Sequence, residues 1–468
     1  MQIPILNGIY SDENAEFRSA YPVNLIPVPK GQGISEGYLR PADGIVSLGT
    51  GPGIDRGGIN WNGICYRVMG TSLVKVLPDG TVTTLGAVGG TTSDFVTMDY
   101  SFDRLAIASG GNLYYWNGTT LTTVTDPDLG TVIDFVWVDG YFMTTDGTSL
   151  VVTELNDPTS VNPLKYGSSE ADPDQVKALV SLRNEVYAMN RYTTEVFDNV
   201  GGAFFPFQRI EGAQIQKGVI GTHACCVYMD AIAFVGSGWN EAPGVYIGVN
   251  SSTNKISTRE IDTLLLGYTE DQLSTIKIEA RNDKANQLLY IHLPDRTIVY
   301  DAGASTEVGE HAWTVLTTSL AGFSQYRAKN FVWCYNKWII GDPQSSSVGY
   351  FTSSISSHWG SDVRWEFGTT IIFNGGMGAI FHRLELIPLS GRTILGVNPT
   401  ISTSYSLDGE TWSQDKTISA GKQGDRSKRL AWMQQGNMRN WRIQRFRGTS
   451  DCFMSFTRLE AQLEPLAV

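Results

Sequence analysis

The residues that could do chemistry are scattered along this 468-residue chain. Its five histidines, His223, His292, His311, His358 and His382, stand at least 19 residues apart. No spacing among them puts two on one metal or assembles a Ser-His-Asp triad. The five cysteines, Cys65, Cys225, Cys226, Cys334 and Cys452, are odd in number and contain no Cys-x-x-Cys pair. That points to buried free thiols made in a reducing compartment, without a zinc site or disulfide framework. The glycine run at residues 49–58, GTGPGIDRGG, lacks the Gly-Lys-Ser/Thr ending of a phosphate loop. Pro52 is followed by no helical pattern, so no helix N-terminus waits there for a phosphate, and turn chemistry explains the glycines. Asn117-Gly-Thr fits a glycosylation sequon and reads as a hairpin turn. We expect no catalytic residue, no cofactor-binding residue, no metal ligand and no cofactor.

Two segments carry more information. Residues 406–412, SLDGETW, nearly match the Asp-box hairpin of sialidases, one residue short between Asp and Gly. The role of such a box is structural: Asp408 accepts turn donors and Trp412 packs beneath the hairpin. A sialidase would also need an arginine cluster, a Tyr/Glu pair and converging acids, and nothing in the sequence groups them. The second segment, residues 421–447, holds eight basic residues and one acid, a local +7 that leaves −19 on the rest. Lys422, Arg426, Lys428 and Arg429 fall in a loop; Arg439, Arg442, Arg445 and Arg447 follow, interleaved with Trp432 and Trp441. On a strand, Arg439, Trp441, Ile443 and Arg445 would share one face, and Arg442, Gln444 and Phe446 the other. Arginine beside tryptophan suits a docking surface for an acidic protein partner, and it also suits phosphate contact or a plain solvated face. The candidate docking set is Lys422, Arg426, Lys428, Arg429, Arg439, Trp441, Arg442, Arg445 and Arg447.

The elements that must position these residues are strands. Charged residues make up 18% and 50 residues are glycine, a trade that favours strands joined by tight turns and excludes a mainly helical protein. A net charge of −12 excludes a whole-chain DNA coat. The first residues show no basic start with an apolar run, so no secretion signal is expected, and no window approaches a membrane span. A loose repeat recurs about every 40 to 55 residues: LVKVLPDG, LYYWNG, LVVTEL, TEVFDN, GVYIG, TIVYDA and VGYF. Each is preceded by another apolar run, and Asp-Gly and Asn-Gly turns separate the strands. That spacing is the spacing of propeller blades, and closing six or seven small sheets into a ring covers their faces. The fold expected is all-β: a divergent six- or seven-bladed β-propeller, a C-terminal β-sandwich and an extended N-terminal arm.

The boundaries expected are an arm at 1–50, a propeller at 51–360 and a sandwich at 361–468. Pro4, Pro22, Pro27, Pro29 and Pro41 suggest that the arm lies along a surface and stays out of the sheets. The best helix signal is 257–267, with Ser257 and Glu260 as a capping box, Ile261, Leu264 and Leu265 on one face, and Gly267 as terminator.

Several segments, in order, resemble the packaged-DNA stabilisation proteins of short-tailed bacteriophages. They are YPVNLIPVPK (21–30), GYLRPADGI (37–45), QKGVIGT (216–222), APGVYIG (242–248), LLLGYTED (264–271) and HLPDRTIVYDA (292–302). The likeness covers residues 20 to 305. Beyond that it is looser, resting on the DG-x-TW hairpin and the arginine-rich strands. It implies a structural virion protein without catalysis: a tail hub or nozzle, forming a homo-hexameric ring that docks on portal-adaptor proteins. Such a hub closes the DNA channel, retains the packaged genome and forms part of the ejection conduit. It would also carry a tail needle and tailspike or fibre proteins. DNA would pass through its lumen without sequence-specific binding. The chain would be made in the host bacterial cytoplasm and end in the virion tail. A carbohydrate-binding or glycan-hydrolysing, sialidase-like propeller is the competing expectation.

Overall fold

A computed structural model of the chain describes residues 2–3, 21–29, 37–92, 94–155, 157–202, 204–284, 286–389, 392–449 and 454–466. Between residues 44 and 352, seven antiparallel sheets of four or five strands follow one another. Their innermost strands are Asp55–Trp61, Thr97–Tyr100, Asp134–Val138, Val176–Leu182, Cys225–Tyr228, Lys277–Asp283 and Lys329–Cys334. Each lies against the next, and the last lies against the first, so the sheets close into a ring. We number them blades 1 to 7 in that order. The seven recurrent centres of the sequence fall on the third strand of every blade, from Ser72–Val76 in blade 1 to Ser347–Thr352 in blade 7. Apolar side chains there and on the two strands before it fill the space between neighbouring blades, as with Val136, Met143, Val152, Leu179 and Phe197 between blades 3 and 4.

The ring closes non-locally. The outer strand of blade 7 is Gly44–Thr50, from the segment expected as an arm, paired antiparallel with Ser347–Thr352. Glycine makes this seam possible. A Cβ on Gly80, whose φ is +90°, would sit 2.0 Å from the Leu48 carbonyl oxygen, and one on Gly49 would sit 2.2 Å from that of Gly80.

The C-terminal sandwich packs two sheets. One runs Leu25–Pro29, Gly37–Pro41, Ser455–Pro465, Ala379–Leu389 and Leu430–Met433, with Gln2–Ile3 pairing Ser455–Pro465. The other runs Trp365–Gly368, Trp441–Gly448, Thr400–Ser406 and Lys416–Ser419. Between them Phe367 lies 5.2 Å from Phe446 and 5.1 Å from Phe456, ring centre to ring centre. The proline-bearing segment is therefore paired in a sheet, contrary to the expectation that it would lie outside one. Its position explains the prolines: Leu25–Pro29 is an edge strand, where a missing N–H leaves no ladder bond unmade.

That edge strand also joins the two domains. Leu25 enters the sandwich core while Ile26, one residue on and facing the other way, enters the core of blades 6 and 7. Just before it, Val23 pairs with Val315 of blade 6 on one side and Glu366 of the sandwich on the other. Asn24, at φ +52°, donates to the carbonyls of Thr317 (2.9 Å) and Arg364 (2.7 Å) and accepts from Thr317 N (3.0 Å).

Helices are short. The expected one is Arg259–Leu266, with Ile261 and Leu265 buried, but its cap differs. Thr258 is the N-cap, without a side-chain cap bond, and Ser257 instead accepts from Val245 N and donates to Asp262. The capping box lies one helix later, at Glu270–Ser274, formed by Thr269 and Gln272. Gly267 ends the first helix in a right-handed conformation, φ −73°. A further helix, Ala302–Val308, is capped by the Asp301 carboxylate, which accepts from Gly303 N and Ala304 N. No described helix is long and apolar enough to cross a membrane.

Candidate functional site

The basic segment does not form one surface. Leu430–Met433 pairs with the strand Ala379–Leu389 so that Leu430 faces Leu386, and the chain then runs on to Met438 facing Ala379. Seven residues at about 3.3 Å each put the loop before Leu430 some 23 Å from Arg439. Lys422, Arg426, Lys428 and Arg429 are exposed in that loop at one end of the sandwich. Arg429 is held by Glu385 at 2.7 Å, whereas the other three have no ion pair among the described residues. Arg447 belongs to the same end, since Arg447 pairs with Ser402 and Thr400 with Ser419, and its guanidinium binds Asp415. Arg445 stacks on Trp412, 3.9 Å from the ring centre. Arg439 and Trp441 are at the far end, near the exposed Phe373, which pairs with Trp441.

Arg442 is on no surface, which removes it from the docking set. It is fully buried, its guanidinium between the rings of Phe381 (4.1 Å) and Tyr405 (3.9 Å). It donates to Gln444 Oε1 (3.1 and 2.7 Å) and to the Gln435 carbonyl (2.6 Å). Burial without a carboxylate lowers its pKa to about 9. Arg442, Gln444 and Phe446 do share a face, as alternation requires, and that face looks into the sandwich core.

The hairpin of residues 406–412 is structural in its geometry and sits in the sandwich, not in a blade. Asp408 accepts from Glu410 N (2.9 Å), Thr411 N (2.8 Å) and the hydroxyls of Ser406 and Thr411, and these donors hold its carboxyl well below the usual range.

A second group of polar residues lies where the innermost strands begin, at one mouth of the ring axis. In the sequence only His223 and Cys225 among them stand out, and neither as a member of a group. Their signal was positional: Asp55, Asp134, Cys225, Lys277 and Lys329 each open the innermost strand of a blade. They line or adjoin an axial cavity of about 230 Å³ bounded by Gly57, Thr97, Asp134, His223, Lys277, Glu279 and Asn330 among others. Phe95 reaches across from blade 2 to blades 5, 6 and 7, with His223 edge-on at 5.5 Å and the ammonium groups of Lys277 and Lys329 at 4.6 and 5.2 Å from its centre. Arg67 forms a bidentate pair with Asp55 at 2.7 Å, in a space that exists because residue 341 is glycine: a Cβ there would lie 2.1 Å from the Asp55 carboxylate.

Charge in this mouth is shifted by burial. Asp134, accepting from Thr97 Oγ1 (2.6 Å) and Leu179 N (2.8 Å), is raised to about 7 by desolvation. His223 is lowered to about 3 and His292 to about 4, both by desolvation, so each imidazole is neutral at pH 7. Burial alone would raise Glu279, but Lys277 at 4.0 Å and the bond from His292 (3.0 Å) bring it to about 2. Glu279 also accepts from Asn330 N and Phe331 N, each at 2.9 Å. The thiols of Cys225 and Cys226 are pushed far up by burial, which makes them poor nucleophiles. Cys65 and Cys334 are buried free thiols, and Cys452 lies outside the described residues. Of the other histidines, His358 is buried beside Thr318 and His382 is an exposed partner of Glu464.

Comparison with known proteins matches both parts of the chain. The family described as "Bacteriophage P22 Gp10, beta-propeller" matches residues 1–356, and "Bacteriophage P22 Gp10, beta-sandwich" matches residues 364–464. The tail hub protein gp10 of Salmonella phage P22 is 28% identical over 462 residues, covering 94% of each chain. Among solved structures, the Pan2 WD40 domain of Neurospora crassa is 10% identical, with a TM-score of 0.42 over 66% of this chain and 95% of that one. The N-terminal domain of Nup159 is 9% identical, with a TM-score of 0.42 over 71% of this chain and 98% of that one.

Proposed function

The chain belongs to the bacteriophage P22 Gp10 family, and on that premise we propose how it serves as the structural hub of a short phage tail. Copies assemble into a homo-hexameric ring that docks on portal-adaptor proteins, closes the DNA channel, retains the packaged genome and later forms part of the ejection conduit. The ring presents a platform for a tail needle and for tailspike or fibre proteins. The role needs no reacting centre. The observation that carries this reading is extent: the propeller and the sandwich match in order, and one alignment spans 94% of a tail hub protein.

Geometry narrows how such a hub would handle DNA. An axial cavity of about 230 Å³ crossed by Phe95 has no room for a duplex, so DNA passes between copies and never through one propeller. A body carrying −19 outside residues 421–447 repels phosphates, so the genome slides without sequence-specific binding. Lys422, Arg426 and Lys428, exposed and without an ion pair among the described residues, grip an acidic neighbour, with Arg429, Arg445 and Arg447 beside them on partners within the chain. Arg439 and Trp441 offer a separate contact at the other end. For assembly the chain divides into a ring with its body at 51–360 and a sandwich with its body at 361–468, and residues before 51 contribute strands to both. Synthesis takes place in the host bacterial cytoplasm, before incorporation into the tail.

Native mass spectrometry of the purified chain, alone and with portal-adaptor complexes, tests the reading. Rings and a bound complex are expected, and particles lacking the chain should leak DNA. A chain that ignores the adaptor and hydrolyses a glycan would replace the hub with the sialidase-like alternative.

A further inference from the structure

We propose that the mouth of the propeller axis binds a tetrahedral oxyanion, sulfate or inorganic phosphate, between the ammonium groups of Lys277 and Lys329 beside Phe95. The inference is independent of the tail-hub reading and rests on three observations. First, Lys329 is only 5% exposed, and its ammonium has no hydrogen-bond or ion-pair partner among the described residues. A buried cation in that state is costly unless something answers its charge. The face of Phe95 offers each lysine a weak attraction, less than an anion would.

Second, the carboxylates nearby are already engaged. Asp55 is bound by Arg67 on two sides and by Asn330. Glu279 is the acid against both lysines, and its oxygens are taken by Asn330 N, Phe331 N and His292. It can neutralise one ammonium and not two. Asp134, across the cavity, faces Thr97 and Leu179 N. Third, there is space and there are donors. The cavity of about 230 Å³ far exceeds what one water needs, and Thr222 and the neutral His223 ring, which has no hydrogen-bond partner among the described residues, stand around it, while the Asn330 amide donates to Asp55 and accepts from Lys277, so that Lys329 is the lysine left without a partner. Several donors converging from different directions fit a tetrahedral ion with four acceptor oxygens.

The site's affinity depends on pH with a definite sign. Burial and the neighbouring Lys277 lower Lys329 to about 8, so an anion that needs it charged pulls a proton onto it. The other groups facing it are Glu279 and His292, and the latter stays neutral across this range. Asp134, raised to about 7, adds negative charge to the cavity as pH rises past neutrality. Both changes weaken binding between pH 6 and pH 9.

Thermal melting of the full chain in sulfate, against sodium chloride at equal ionic strength, tests the proposal. At a hundredfold excess over Kd the midpoint should rise by about 2–3 °C for a chain of this size. Lys329→Met should abolish the sulfate response while melting no lower than the parent in chloride, because it removes an unanswered buried charge. Absence of a sulfate effect in the parent, or an equal effect in Lys329→Met, overturns the site. Should Lys329→Met fail to fold, the parent alone decides: a sulfate shift that is the same at pH 6 and pH 9 also overturns it.

Discussion

The propeller axis and the sandwich core both bury cations, and they answer the charge by different means. At the axis Arg67 meets the Asp55 carboxylate in a two-point pair, and between blades 6 and 7 Arg281, lying over Phe351, meets Asp43, which Arg40 also holds. In the sandwich Arg442 meets no carboxylate among the described residues; two aromatic faces, a glutamine side chain and a backbone carbonyl surround it. Arg281 and Asp43 stand 238 residues apart, and Arg67 and Asp55, neighbours within blade 1, both bond Asn330 of blade 7, so these networks tie together elements distant in the chain. The sandwich arginine reaches Gln444 on its own strand and fills a slot between sheets, acting as a flat spacer. Ion pairs specify the ring's assembly, whereas planarity specifies the sandwich's packing.

Substitutions can break that contrast. The largest effect is expected from Asp55→Ala, which strands Arg67, fully buried, with no countercharge: a loss of about 3–5 kcal/mol in urea unfolding. Acid should act next, and unequally. His223 and His292 are lowered to about 3 and 4 in the fold against about 6.5 unfolded, so the unfolded chain binds more protons. Stability is full above pH 6.5 and falls as pH drops toward 4, by an amount on the order of a few kcal/mol, offset in part by Asp134, which runs the opposite way. Hydrogen exchange should show the propeller loosening before the sandwich, whose described His382 is largely exposed. If the sandwich loosens first, axial burial is not what governs acid sensitivity.

Arg442→Met should cost less than Asp55→Ala, about 1–3 kcal/mol, since it leaves Gln444 and a carbonyl unpaired but no charge. Arg442→Lys, which keeps the charge and loses the plane, should be no better tolerated than Met. A Lys variant as stable as the parent would show that charge, not shape, is what the slot selects. Smallest in stability is the triple change of Lys422, Arg426 and Lys428 to Glu, within about 0.5 kcal/mol, because all three are exposed and have no ion pair among the described residues. Its effect should appear in adaptor binding and in the salt dependence of that binding.

The same contrast separates what the sequence made legible from what it hid. Strands that repeat with local turns were readable: all seven recurrent centres are third strands, because a short apolar or aromatic run is a local signal, sharpened at three of them by Asp79-Gly80, Asn117-Gly118 and Asp146-Gly147. Placement that depends on pairing across hundreds of residues was not. The register of Ala379–Leu389 decides that Arg429 and Arg439 stand at opposite ends, and no local pattern encodes it. Alternation put Arg442, Gln444 and Phe446 on one face correctly, yet could not tell which face was interior. Pro27 and Pro29 argued against a sheet until the strand proved to be an edge. At the axis, Lys277 and Lys329 are ordinary lysines in sequence; only aligning blade against blade shows a charged residue recurring at the start of the innermost strand.

The late partner of Gly44–Thr50 has a consequence for synthesis. Its complement, Ser347–Thr352, leaves the ribosome some 300 residues afterwards, about 15–60 s at ordinary bacterial elongation rates. Gly37–Pro41 waits longer still, for Phe456. Through that interval the nascent chain holds an incomplete circle with one unmatched border, open to any extended peptide nearby. Translation speed and chaperone cover over that window therefore influence yield, and a stop before residue 347 leaves a product that cannot shut.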